Sequence, residues 1–233
     1  MASEDAFKPA LLIIDTQNDF CGPDGSMGIP QGRSIAPVVN KLLDLPFFLR
    51  VATKDWHPRD HISFASNHSA PDNKPYDSFV TIANPLNGSE KQTTRLWPDH
   101  CIQDTPGADI IAEIDQGKLD MVVEKGQDPR VEMYSVFGDP FRNPQVTRSG
   151  LAETLKINGV TDCYVCGLAT DYCVKSSVLD AAGEGFKVWV IKDGVKGVDT
   201  QGCEQAFAEM EKAGAEAIQS DGMEIERVKH WKT

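Results

Sequence analysis

Short, unbroken apolar runs alternate with amphipathic stretches along almost the whole chain, and few folds can accommodate that order. Residues 11–14, 47–52, 119–123, 161–165, 187–191 and 216–218 are short, mostly apolar runs, with single polar residues such as Arg50 and Asp120 but no regular polar alternation. Such runs read as strands buried on both faces, the pattern of parallel sheets covered by helices. Between them, residues 34–45, 150–157, 171–182 and 200–213 carry apolar residues at helical spacing. In the first, Val38, Val39, Leu42 and Leu43 share one face and Ser34 is a candidate N-cap; Gly183 and Gly185 are placed to stop the third, and Gly214 the fourth. Strand and helix in strict alternation predict an α/β protein: a central, mostly parallel sheet of about six strands with helices on both faces, a Rossmann-like three-layer sandwich. With 233 residues and 40% hydrophobic content, one domain spanning 1–233 is expected. The exception to the alternation is residues 56–117, rich in Pro, Asn, Ser, Asp and Gly. A loop of that length inside a compact domain is expected to be functional, here an insertion at the active site, with short helices at most.

Open parallel sheets gather ligand-contacting groups at the carboxyl ends of their strands. Three residue types suited to joint chemistry stand at such ends. Asp15 follows the run 11–14, Lys125 follows 119–123, and Cys173 opens a helix just after 161–165. A helix N-terminus presents free N–H groups and the positive end of its dipole, which favour thiolate over thiol. A lone cysteine is more often a small buried hydrophobe; it becomes a candidate nucleophile when a base and a cation converge on it, as Asp15 and Lys125 are placed to do. The spacing of Cys163 and Cys166 is that of a redox pair, but within a strand the two side chains point to opposite faces, so core packing is expected.

A second cluster lies in the string Asp55-Trp56-His57-Pro58-Arg59-Asp60-His61, to which His100 adds a third imidazole. Asp55, His57, His61 and His100 form a donor set for a borderline divalent metal, Zn²⁺ first, with Mn²⁺ or Fe²⁺ as alternatives. The spacing alone leaves ordinary histidines equally open. His68 and His230 fit no such pattern.

Five segments in register, Asp15-Thr16-Gln17-Asn18-Asp19-Phe20, Lys54-Asp55-Trp56-His57-Pro58, Trp97-Pro98-Asp99-His100-Cys101, Lys125-Gly126 and Gly167-Leu168-Ala169-Thr170-Asp171-Tyr172-Cys173, resemble the nicotinamidase motifs of the isochorismatase-like cysteine hydrolases, pyrazinamidases included. The segment following Arg59 resembles the fungal-type members. The resemblance implies hydrolysis of nicotinamide to nicotinate and ammonia through a cysteine thioester, a salvage step for NAD. It implies Asp15, Lys125 and Cys173 as catalytic residues and the backbone N–H groups of Ala169 and Cys173 as an oxyanion hole. It further implies a cis Leu168–Ala169 bond, a substrate pocket of Phe20, Trp97, Tyr134 and Leu168, and a divalent metal on Asp55, His57, His100 and His61 that orients the pyridine ring. After Lys125 the match weakens, which bears on Tyr134.

Two other readings stand beside this one. Another amidohydrolase of the same family, acting on N-carbamoyl or ureidoacrylate-type substrates, would share the Asp-Lys-Cys set without the metal cluster. A noncatalytic zinc-binding protein would explain Asp55, His57 and His100 but give Asp15, Lys125 and Cys173 no reason to stand at strand ends. A formal charge of −12 and a pI near 4.8 argue against nucleic-acid or anionic-membrane partners and leave a small molecule as the expected one, which the resemblance implies is nicotinamide or pyrazinamide. The opening residues 1–8 lack the apolar core of a secretory signal, and six cysteines are too sparse for a disulfide scaffold. A cytoplasmic location is expected, with nucleus or peroxisome open, although His230-Trp231-Lys232-Thr233 is not a peroxisomal signal. Nothing in the sequence decides between a monomer and a homo-oligomer.

Overall fold

The computed structural model describes residues 7–232; the start of the acidic leader and Thr233 lie outside them. Six strands, β1 (Pro9–Ile14), β2 (Leu49–Asp55), β5 (Met121–Lys125), β6 (Asp162–Leu168), β7 (Lys187–Lys196) and β8 (Glu216–Ile218), form one sheet in the order β5-β2-β1-β6-β7-β8. Every neighbouring pair in it is parallel. Both β1 and β6 are buried along their full length, as unbroken apolar runs require.

The faces of the sheet carry separate cores. Leu11, Ile13, Ala52, Tyr164 and Trp189 pack with α1 (Ala36–Leu43) and α5 (Met223–Lys229). Leu12, Ile14, Val51, Val165 and Val190 pack with α2 (Leu151–Ile157), α3 (Lys175–Gly183) and α4 (Thr200–Lys212). The result is the three-layer sandwich expected. Cys163 and Cys166 fall into opposite cores, so the two thiols are not a redox pair. Among the described residues no helix is long and apolar enough to cross a membrane.

Local differences have local causes. Ser34 lies inside a 3₁₀ turn, Gly32–Ile35, that leads into α1, and makes no cap. Asp199 caps α4, accepting the Gly202 N–H at 2.8 Å. The helix read from 171 begins as a single π turn, Thr170–Val174, and becomes α3 only at Lys175. The insertion contains an antiparallel hairpin, β3 (Phe79–Asn84) and β4 (Asn87–Arg95), rather than short helices alone.

The chain runs outward from β1 through β2 to β5, then restarts at β6 on the other side of β1 and runs outward again. The switch point between β1 and β6 is where open α/β sheets place their ligand crevice. Their ends approach closely there: Gly167 pairs with Ile14 at φ +116°, and a Cβ on it would meet the Ile14 backbone. Only glycine fits that position.

Candidate active site

Asp15 lies one residue past β1, Asp55 and Lys125 are the last residues of β2 and β5, and Cys173 sits in the π turn after β6. Single π turns inside helices recur at functional sites because they re-aim a side chain. The Lys125 ammonium is fully buried, 3.0 Å from Asp15 Oδ2 and 2.5 Å from Asp55 Oδ1. It also donates to the Met133 carbonyl at 3.2 Å and approaches Cys173 Sγ at 3.5 Å. Burial works against its charge, but Asp15, Asp55 and Cys173 outweigh that and hold its pKa well above the usual lysine range.

Asp15 is gripped from the next strand. Thr53 donates its hydroxyl to Asp15 Oδ1 at 2.5 Å and accepts the Asp15 N–H at 3.0 Å. Those bonds hold a non-glycine residue at φ +44°, a sparsely populated backbone region. Asp15 Oδ2, ion-paired with Lys125, has no hydrogen-bond partner and is the oxygen left for the thiol. One cation thus faces two carboxylates and a thiol in a buried site. Burial pushes the Cys173 thiol well above its ordinary range, and Lys125 offsets this only in part against Asp15 and Asp55. This favours the thiol over the thiolate that the helix-start position suggested. Attack therefore requires a base.

Asp15 suits that role. Burial, countered by Lys125 and reinforced by Asp55, raises its pKa from 3.8 to about 6. The base works only as a carboxylate, so kcat/KM is expected to fall as pH drops through about 6 instead of near 4. A cation on Asp55 would move this limb downward by removing the repulsion. Thr53→Val should move it upward, because the Thr53 bond favours the carboxylate. An acid limb that does not move in Thr53→Val would rule Asp15 out.

Asp55, His57 and His100 bring their ligand atoms within 4.8 Å of one another. The imidazoles are pre-oriented. His57 Nδ1 donates to the Gly126 carbonyl at 2.8 Å and His100 Nδ1 to the Pro98 carbonyl at 2.8 Å. Carbonyls only accept, so both Nδ1 atoms carry a proton and Nε2 is the atom each ring would offer a cation, the usual arrangement of metal-binding histidines. At His57 that atom faces Asp55, which against burial raises the imidazole pKa, so a cation there would displace a proton. Asp55 Oδ2 lies 3.6 Å from His57 Nε2 while its Oδ1 holds Lys125. Although burial opposes it, Lys125, followed by His57, keeps Asp55 far below the usual carboxylate range, ready as an anionic donor. The donor set fits a divalent metal.

His61, expected as a fourth ligand, is differently placed. Its Nε2 donates to the Val131 carbonyl at 3.2 Å and its Nδ1 lies 2.8 Å from Ser63 Oγ, so both ring nitrogens are engaged. It groups with His57 and Glu132 instead of with the trio, its ring centroid 4.1 Å from that of His57.

A narrow, partly open cavity of about 20 Å³ is lined by Cys173 and Ala169 and also by Asp55, His100 and Glu132. Phe20, Trp97, Tyr134 and Tyr172 supply aromatic walls, and Met27, Ile29 and Val198 the rest. Tyr134 OH accepts the Trp97 indole N–H at 2.9 Å and bonds Thr94 Oγ1 at 2.8 Å, which locks that corner. The Leu168–Ala169 bond is cis, as the motif resemblance implied. Leu168, expected among the substrate contacts, is fully buried in the core below Gly32 and does not line the cavity.

Sequence reasoning missed Thr53, Glu132 and Tyr172, and gave Gln17 no role. The Gln17 amide brackets Asp55, accepting its N–H at 2.8 Å and donating to its carbonyl at 2.8 Å. Glu132 is a buried carboxyl beside His57 whose pKa burial raises. For Thr53 and Gln17 the only available signal was adjacency to the site residues.

The isochorismatase domain matches residues 9–222. The nicotinamidase of Escherichia coli (strain K12) is 40% identical over 211 residues, covering 89% of this chain and 92% of that protein. Among solved structures, the yeast nicotinamidase bound to the inhibitor nicotinaldehyde aligns at TM-score 0.84 and 30% identity, covering 91% of this chain and 99% of that one. The Pyrococcus horikoshii pyrazinamidase in complex with zinc aligns at TM-score 0.69 and 34% identity, covering 91% and 99%. With an α/β sheet of the same fold and a domain match over most of its length, this chain belongs to the isochorismatase family.

Proposed function

We propose that this chain is a nicotinamidase, an amide hydrolase that converts nicotinamide to nicotinate and ammonia. The observation that carries the reading is that Cys173 and the Asp55–His100 edge of the metal trio open on one cavity with aromatic walls. A flat ring with a nitrogen on one side and a carboxamide on the other suits such a space. The relatives named nicotinamidase support the same substrate.

In this reading Asp15 takes the thiol proton as Cys173 Sγ attacks the carboxamide carbon. Lys125, in contact with both groups, stabilises the charge that appears first on sulfur. The backbone N–H groups of Ala169 and Cys173 hold the developing oxyanion, and Asp15 returns its proton to the departing ammonia. Water then hydrolyses the thioester, Asp15 again serving as base. Phe20, Trp97, Tyr134 and Tyr172 pack against the ring.

Asp55, His57 and His100 would hold a divalent cation, with Zn²⁺ the first choice for this donor set and Mn²⁺ or Fe²⁺ as alternatives. When bound, it supplies a Lewis-acid anchor for the ring nitrogen. His61 and Glu132 buttress His57 from outside that set. Removal of the His57 imidazole is expected to weaken zinc binding by about 100-fold or more, read by competition with a chromophoric chelator, and to raise KM. Zinc affinity unchanged in His57→Ala would remove this trio from consideration.

The test is ammonia release from nicotinamide by purified protein as isolated, after chelation, and with zinc restored. Turnover lost on chelation and regained with zinc is the expected result. No release by metal-replete protein would sink the substrate assignment and redirect the search to N-carbamoyl and ureido substrates.

A further inference from the structure

The walls of the substrate cavity are not equally rigid, and the difference identifies a residue that sets substrate size. The cavity is narrow, so a ring entering it presses on every wall, and the freedom of each wall to move decides what fits. The polar side is held by Lys125 and by backbone carbonyls. The aromatic corner is held by the Trp97–Tyr134–Thr94 hydrogen bonds and by the edge contact of Trp97 with Tyr172, 4.8 Å between centroids. Ile29 is buried. Of the aliphatic wall, only Met27 and Val198 are half-buried.

These two differ in stiffness. Met27 has an unbranched, adaptable side chain on the segment 21–31, whose flanking residues are largely exposed. Val198 is β-branched, with restricted side-chain freedom, and its backbone is fixed by the nucleophile turn itself. Asp171, two residues before Cys173, accepts the Val198 N–H at 3.0 Å on Oδ1 and the Asp199 N–H at 3.3 Å on Oδ2. The loop is drawn tight against this carboxylate: a Cβ on Gly197 would stand 2.8 Å from Asp171 Oδ1, and one on Gly202 3.0 Å from Oδ2. The same turn that aims the thiol therefore also fixes the position of the wall.

We propose that Val198, pinned by Asp171, is the rigid stop that limits the size of the ring substituent this site accepts, and that Met27 is the part of the wall that yields. The inference rests on the reading of the cavity as a pyridine-carboxamide site and names its specificity determinant. Asp171 acts through Val198 and is a positioning residue.

The experiment compares kcat/KM for nicotinamide and for nicotinamides methylated at each free ring carbon in turn, in the zinc-loaded wild type and in four variants. Val198→Ala is expected to raise the ratio for at least one methylated substrate over nicotinamide by about 10-fold or more, the usual worth of a methyl group in an apolar pocket. Val198→Leu should lower that ratio, Asp171→Asn should raise it by less than Val198→Ala, and Met27→Ala should leave it within about 3-fold of wild type. A merely structural role for Val198 would change all substrates equally. Ratios unchanged in both Val198 variants, with nicotinamide still turned over, overturn the stop alone. Selectivity relaxed in Val198→Ala but not in Asp171→Asn overturns the anchoring. No turnover of nicotinamide by the wild type overturns the underlying assignment and this inference with it.

Discussion

Replacing Cys173 with alanine is expected to lower kcat for ammonia release by about 10⁵-fold or more while leaving the protein folded. The side chain is buried at the edge of an apolar core and has charged groups on its other side: it stands 3.5 Å from an ammonium and close to two carboxylates. Removing it leaves the Lys125 ion pairs intact, so melting temperature should stay near that of the wild type or rise, as is common when a strained functional group is removed. Cys173→Ser should fail almost as completely, since a hydroxyl is a weaker nucleophile than the thiol and Asp15 is too weak a base to deprotonate it. Activity within about 100-fold of wild type in the alanine variant would show that Cys173 is not the nucleophile.

The second large effect is expected at Lys125, and it separates catalysis from stability. In Lys125→Met two buried carboxylates face each other without a cation. Removing one partner of a buried ion pair costs about 3–5 kcal/mol, which for a chain of this size lowers the melting temperature by about 6–20 °C. The loss depends on pH in a definite direction. The Asp15 pKa is already raised to about 6, and Lys125 is the strongest influence holding it down. An acid whose folded pKa lies above its unfolded value costs stability once ionised, and the cost disappears as pH falls through the folded pKa. The deficit of Lys125→Met should therefore be larger at pH 8 than at pH 5. Adding Asp15→Asn should recover much of the stability and none of the activity, a non-additive pair measurable by thermal melts and ammonia release together. Equal melting temperatures for wild type and Lys125→Met at pH 8 would mean that the buried charges are compensated in some other way.

What could be read from the sequence followed from local chemistry. Asp15, Lys125 and Cys173 were identifiable because a parallel sheet delivers strand ends to one crevice, and their side chains do meet there. The direction in which the site pushes the thiol was not identifiable, because the helix-start argument counts a dipole and a cation but not two carboxylates and complete burial. His61 shows the same limit: its spacing suits a ligand, yet Val131 and Ser63, brought in by the fold, occupy both its nitrogens. The hairpin β3–β4 escaped notice because its turn is Pro85-Leu86, while the Asn87-Gly88 pair that usually marks such a turn lies inside β4. Helix α5 is short, and only Ile225 and Val228 of it are buried, too few to establish a period.

The switch point between β1 and β6 divides the chemistry as well as the sheet. Asp15, Asp55 and Lys125 belong to the half of the chain that builds β1, β2 and β5, whereas Cys173 belongs to the half that builds β6, β7 and β8. The two halves of the sheet meet along a single register, Pro9–Ile14 against Asp162–Gly167. A chain cut in the loop region between Lys125 and α2 would yield one fragment with the proposed base and metal ligands and another with the proposed nucleophile. Neither fragment could be active alone, and catalysis on mixing would report reassembly of that strand pair, making the fold a natural scaffold for a split reporter.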